Sequence, residues 1–140
     1  MPVNQGFFEI INHFIYNIYT LKNKRGSDYY CGAGFRDLSI DINGNIYPCF
    51  MFNEESKFVM GNVISGTDMF FDKREIYLGN KIDKNESCNK CWAKKICHSG
   101  HSGCIGAYYI ENGEINKPIS ANCEISKVCF ETVLKKLALL

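Results

Sequence analysis

The chain has 140 residues, a length that suits one domain and leaves little room for a second. Lys+Arg number 16 against Asp+Glu 15, a net charge of +1, which argues against nucleic acid as the main partner because phosphate binding needs a clustered basic excess. Apolar residues make up 46% and charged residues 22%, a globular balance, and no apolar run approaches the roughly 20 residues that span a bilayer.

Residues Phe7 to Lys24 read as one amphipathic helix. Phe7, Ile11, Phe14, Ile18 and Leu21 recur at three- and four-residue steps, and Phe8, Ile10 and Ile15 widen the stripe. Asn12, Asn17, Lys22 and Lys24 make the polar side, and Gly26-Ser27-Asp28 ends the helix. The period then changes to two. Leu38, Ile40 and Ile42 alternate with Asp37, Ser39 and Asp41, and Asn43-Gly44 leads into Asn45-Ile46-Tyr47-Pro48-Cys49. Asn-Gly between alternating segments predicts a hairpin with a type I′ turn, in which Asp41 and Asn43 are turn residues. Pro48 argues against a central position for the return strand.

Phe58 to Ile64 reads as a short extended segment broken at Gly61-Asn62, and Phe70 to Leu78 as a short helix. Regular structure is expected to be sparse from Cys88 to Gly106. Tyr108-Tyr109-Ile110 and Ile115 around Asn112-Gly113 suggest a second hairpin. A final helix starts near Asn122 or Cys123, with Val128, Cys129, Val133, Leu134 and Leu137 on its buried stripe.

Eight cysteines dominate the chemistry. An even count in a small chain has three readings: disulfides, zinc, or iron–sulfur clusters. The N-terminal MPVNQGFFEIINHF has no basic n-region and no small-residue cleavage site, which speaks against a secreted disulfide scaffold and for the cytoplasm. Cys88, Cys91 and Cys97 form C-x2-C-x5-C, which gathers three sulfurs in a small volume. The three histidines, His13, His98 and His101, have no nucleophile partner pattern, and no Gly-rich phosphate loop follows a strand, so hydrolase and kinase readings have no support.

The full order is Cys31-x12-Gly44-x4-Cys49, then Cys88-x2-Cys91-x5-Cys97-x6-Cys104, then Cys123 and Cys129. This pattern resembles the SPASM domain, the C-terminal auxiliary-cluster module of many radical S-adenosylmethionine enzymes. CGAG at Cys31, DINGNIYPC at Asp41, FVMGNV at Phe58 and CWA at Cys91 also match it. The resemblance runs from Cys31 to Cys129. It implies two 4Fe–4S clusters, the first held by Cys31, Cys49 and Cys104 and the second by Cys88, Cys91, Cys97 and Cys123. No cysteine precedes Cys31, so it also implies an open iron on the first cluster, similar to the docking point for a substrate thiolate in related enzymes.

Two departures stand out. Six residues separate Cys97 from Cys104 where the family has three, and the repeated His-Ser-Gly makes His98 and His101 candidate ligands beside a reading as exposed loop residues. Cys129 is an eighth cysteine, read as a small buried residue or as completing the first cluster. Trp92 reads as packing over a cluster, Arg36 as a surface residue or a tuner of cluster potential, and the many Phe and Tyr as core and dry shell.

The C-x3-C-x2-C that binds the S-adenosylmethionine-cleaving cluster is absent, and a catalytic barrel does not fit ahead of Cys31. The expected fold is a small cysteine-rich α+β domain: N-terminal helix, β-hairpin, two cluster-binding loops and C-terminal helix. Residues 1–28 form a bridging helix and linker, and 29–140 the auxiliary domain. By resemblance it supports, through electron transfer or thiolate anchoring, the radical modification of a ribosomal peptide, with thioether formation the type in view. S-adenosylmethionine belongs to a missing or partner catalytic domain. Self-association through the N-terminal helix is a further expectation. The alternative is a module holding two zinc ions for protein interaction, with no redox role.

Overall fold

The computed structural model describes residues 26–97 and 102–138, together with positions 12, 15, 16, 19, 22 and 23. Those N-terminal positions from 12 to 22 are helical, and the Asn23 N–H donates to Tyr19 O at 3.0 Å. Ile15, expected on the apolar stripe, is exposed. The rest of the predicted Phe7–Lys24 helix lies outside the described residues, as do His98 and His101.

Three short strands form an antiparallel sheet in the order β1 (Ser39–Ile40), β2 (Asn45–Tyr47), β3 (Gly61–Asn62). Ser39 pairs with Tyr47 and Ile40 with Ile46, and on the other side Asn45 pairs with Asn62 and Ile46 with Gly61. The predicted hairpin is therefore present, with a different turn. Among the turn residues only Gly44 has positive φ, at 80°, and its N–H donates to Asp41 O at 3.0 Å. This is a type I turn over Ile42-Asn43 closed by a left-handed glycine, the three-residue alternative to type I′.

Asp41 makes that choice. Its carboxylate accepts from the backbone N–H of Asn43 and Asn45 and from Asn45 Nδ2, each at 2.9 Å, and from the Tyr47 hydroxyl at 3.2 Å. Burial alone would raise its pKa, but the Asn45 side chain and these other donors hold it below the ordinary carboxylate value.

Two further expectations about this region fail. β2 is the central strand, and Pro48 lies one residue past its end, where its carbonyl accepts from the Gly34 N–H at 2.8 Å. Proline disrupts a ladder only inside it. Gly61-Asn62, expected to break an extended segment, is itself β3, because the flanking residues turn away on both sides.

Four helices follow or flank the sulfur-bearing loops: α1 (Phe70–Gly79), α2 (Glu86–Asn89), α3 (Ile105–Asn112) and α4 (Ser120–Leu137). α1 matches its prediction. α3 stands where the second hairpin was expected. Gly113, at φ 75°, accommodates the left-handed residue that ends α3, and its N–H donates to Tyr109 O at 2.8 Å. Asn-Gly is a helix-end signal as well as a hairpin signal, and the apolar run before it folded on the 3.6 period.

α4 starts at Ser120, close to the predicted start, but presents another face. Val133 is buried as expected, but with Ser126 and Phe130, while Val128 and Leu134 are exposed. The main core gathers around Phe52, Met60, Tyr77 and Tyr108, and a smaller one joins Ala93 and Ile96 to Phe130. With a helical lower half, a small sheet and loop-borne cysteines, the chain is a small cysteine-rich α+β domain.

Candidate iron–sulfur site

All eight cysteines are free thiols of intermediate exposure. Seven sort into two groups in space. Cys88, Cys91, Cys97 and Cys123 line one cavity of about 210 Å³, walled by Tyr30, Tyr108 and Phe130. Cys31 and Cys49 feel each other's charge or that of Cys104, which places these three sulfurs in mutual electrostatic reach.

Local structure delivers each sulfur. Cys31 opens a tight loop in which the Arg36 and Asp37 N–H groups both return to Gly32 O, at 2.8 and 2.9 Å. Cys49 follows the end of β2 and precedes the 3₁₀ turn Phe50–Phe52. Cys104 caps α3, its sulfur accepting from the Ala107 N–H at 3.4 Å. α3 reaches Cys49 because residue 106 is glycine: a Cβ there would lie 2.5 Å from Met51 Cβ. In the second group, Asn85 caps α2 by accepting from the Cys88 N–H at 3.1 Å, which aims the C-x2-C turn, and Cys123 comes from the first turn of α4.

Burial and the neighbouring cysteines together raise the free thiols. Burial pushes the Cys31 thiol up, against backbone hydrogen bonds from Ala33 and Ile105 that lower it, while Cys104 and Asp37 add to the rise. Burial also pushes Cys49 and Cys123 up to about 11, and neighbouring cysteines add to both. Cys97 is raised by burial first, with Ser102 and Lys127 opposing. Crowded thiols hold their protons until a metal centre replaces them, so loading releases protons.

Several hydrogen-bond partners were not singled out in the sequence. The Tyr30 hydroxyl donates to Cys88 Sγ at 3.4 Å, and Cys97 Sγ is hydrogen-bonded to Ser102 Oγ at 3.3 Å. The Tyr108 hydroxyl donates to Ser102 O. Lys127 lines the cavity one turn after Cys123, an i, i+4 relation that was legible in the sequence once Cys123 was read as helical. Tyr30 left only its place before Cys31 as a signal.

Some predicted roles find no support in this geometry. Cys129 is half-buried on α4 and is not among the residues lining the cavity. Six positions after Cys123, it falls well off the face that turns toward the other sulfurs. Trp92, which directly follows Cys91, is exposed rather than packed over a cluster. Arg36 is exposed and stacks on the Phe35 ring.

The donor set suits a cluster. Thiolates are soft anionic ligands for iron. A zinc ion draws its sulfurs to about 2.3 Å from one point. Among the described residues no three Cys, His, Asp or Glu side chains converge on a single ion position, and the four cysteines share the lining of one cavity.

These features define a small thiolate-rich domain of the iron–sulfur class. Residues 31–92 match the family model SPASM, described as an iron-sulfur cluster-binding domain. SPASM domains bind iron–sulfur clusters and occur with radical S-adenosylmethionine proteins. No curated protein matches the chain. No helix among the described residues is long and apolar enough to cross a membrane.

Proposed function

We propose that residues 29–140 hold two 4Fe–4S clusters, one on Cys31, Cys49 and Cys104 and one on Cys88, Cys91, Cys97 and Cys123. They serve a radical S-adenosylmethionine domain or subunit that modifies a ribosomal peptide, with 1–28 as the bridge to it. The observation that carries this reading is the separation of seven cysteines into a group of three and a group of four. Bound there, such clusters supply one-electron redox chemistry and, at the three-cysteine group, an iron open to a substrate thiolate.

The residues around the sulfurs have defined tasks. Backbone N–H groups of Ala33, Ile105, Met51 and Ala107 face the first group and stabilise its thiolates. Tyr30, Tyr108 and Phe130 keep water from the second, and Lys127 offsets part of its negative charge. The chain assists catalysis, and S-adenosylmethionine is bound and cleaved on the partner, in the cytoplasm.

The test is metal and sulfide content with a visible spectrum, on the full chain purified and reconstituted without oxygen. About seven to eight irons per chain and a broad absorbance near ~400 nm are expected. About two zinc ions per chain, with no colour even after iron and sulfide are supplied, would overturn the reading in favour of a zinc-bearing interaction module.

A further inference from the structure

Tyr30 belongs to both cysteine groups. Its backbone is bonded to Cys31 of the first group, and its side chain runs into the second, where its hydroxyl donates to Cys88 Sγ at 3.4 Å. The residue is 3% exposed. Its ring meets Tyr108 edge-on, with centroids 5.5 Å apart and planes at 83°. Tyr108 is itself 1% exposed and pinned through its own hydroxyl to Ser102 O, on the helix that Cys104 caps. The Tyr30 ring is thus held from one side by its neighbour and from the other by its backbone.

We propose that the Tyr30 hydroxyl raises the reduction potential of the cluster on Cys88, Cys91, Cys97 and Cys123, by hydrogen-bonding the Cys88 sulfur. The proposal rests on the reading that a cluster occupies that cavity. A hydrogen bond to a ligating thiolate withdraws electron density from sulfur. The reduced cluster carries one more negative charge than the oxidised one and gains more from that donor, so the potential rises. Exclusion of water strengthens the effect, because the local dielectric is low. A tyrosine that only filled space here would carry the desolvation cost of a buried hydroxyl, which phenylalanine avoids. The sulfur as partner explains the hydroxyl.

The experiment is an EPR-monitored redox titration of the full chain reconstituted with iron and sulfide. Wild type is compared with Tyr30→Phe and with 3-fluorotyrosine placed at position 30. Tyr30→Phe keeps the ring against Tyr108 and removes only the donor. It is expected to retain its iron and to lower the potential of one cluster while leaving the other in place. A change of about tenfold in the reduction equilibrium corresponds to about 59 mV for a one-electron couple. 3-Fluorotyrosine is a stronger donor and is expected to shift the same cluster upward. The wild-type EPR spectrum should also show coupling to an exchangeable proton that is missing in Tyr30→Phe.

Unmoved potentials in both variants at full iron content would overturn the proposal and leave the two-cluster reading standing. If Tyr30→Phe loses its iron, the fluorotyrosine protein decides alone, and an unshifted potential there rejects the proposal. A wild-type chain that takes up no iron rejects both readings together.

Discussion

Asn85 ties two stretches of chain together with one side chain. Its Oδ1 accepts from the Cys88 N–H and from the Ser87 hydroxyl, and its Nδ2 donates to Asn116 O at 2.8 Å. It therefore caps α2, orients the first sulfur of the C-x2-C turn, and pins the loop between α3 and α4. Loss of an N-cap of this kind costs about 1–2 kcal/mol. Asn85→Ala is expected to lower the stability of the loaded protein by that amount in denaturant unfolding. Asn85→Asp should recover the capping part, because an aspartate still accepts from the Cys88 N–H but no longer donates to Asn116 O. An unchanged unfolding midpoint in Asn85→Ala would show that the cap is idle.

At the scale of elements, the approach of α3 to the turn Phe50–Phe52 brings Cys104 toward Cys49. Gly106 sits in that contact, and a methyl group there would meet Met51 at its Cβ rather than at its flexible end. The neighbour has little freedom to give way, so Gly106→Ala should act as an overpacking substitution, costing about 1–3 kcal/mol. The expected result is selective. Iron at the three-cysteine group should fall and iron at the four-cysteine group should remain, read by EPR and iron content on reconstituted protein. Equal retention at both groups would place the assembly of the first site elsewhere.

The elements also show where local reading succeeds. The β1–β2 hairpin and α1 were legible because alternation and helical period act over a few neighbours. The α3 segment was misread because Asn112-Gly113 serves a helix end as well as a turn. Its N-cap is Cys104, a residue type outside the usual Ser, Thr, Asp and Asn start signals.

The whole molecule has little regular structure to stand on. Its strands are two or three residues long, α2 has four residues, and all the cysteines but Cys129 sit in loops or at helix ends, five of them packed against one or other of two separate apolar cores. A domain of this size typically has a net stability of about 5–15 kcal/mol. Binding of a structural metal to thiolates contributes about 10–16 kcal/mol in small metal-dependent folds. Removing the iron should thus abolish cooperative folding. The expected outcome of anaerobic iron stripping is loss of the sharp thermal transition followed by circular dichroism, restored by iron and sulfide. A stripped chain that still melts cooperatively would show that the apolar cores suffice.

The spacing of the cysteines, the hairpin, the C-x2-C turn and the likeness to the SPASM family were determined by the sequence alone. Each depends on residues a few positions apart, or on a pattern carried intact along the chain. The rotation of α4 was decided only by tertiary structure. The apolar period pointed Val128, Val133 and Leu134 inward; with Cys123 turned toward three other sulfurs, only Val133 of these is buried, beside Ser126 and Phe130. The same holds for Tyr30, whose hydroxyl meets a sulfur 58 positions along the chain. Contacts at that separation are set by how the chain folds back on itself, and no local period records them.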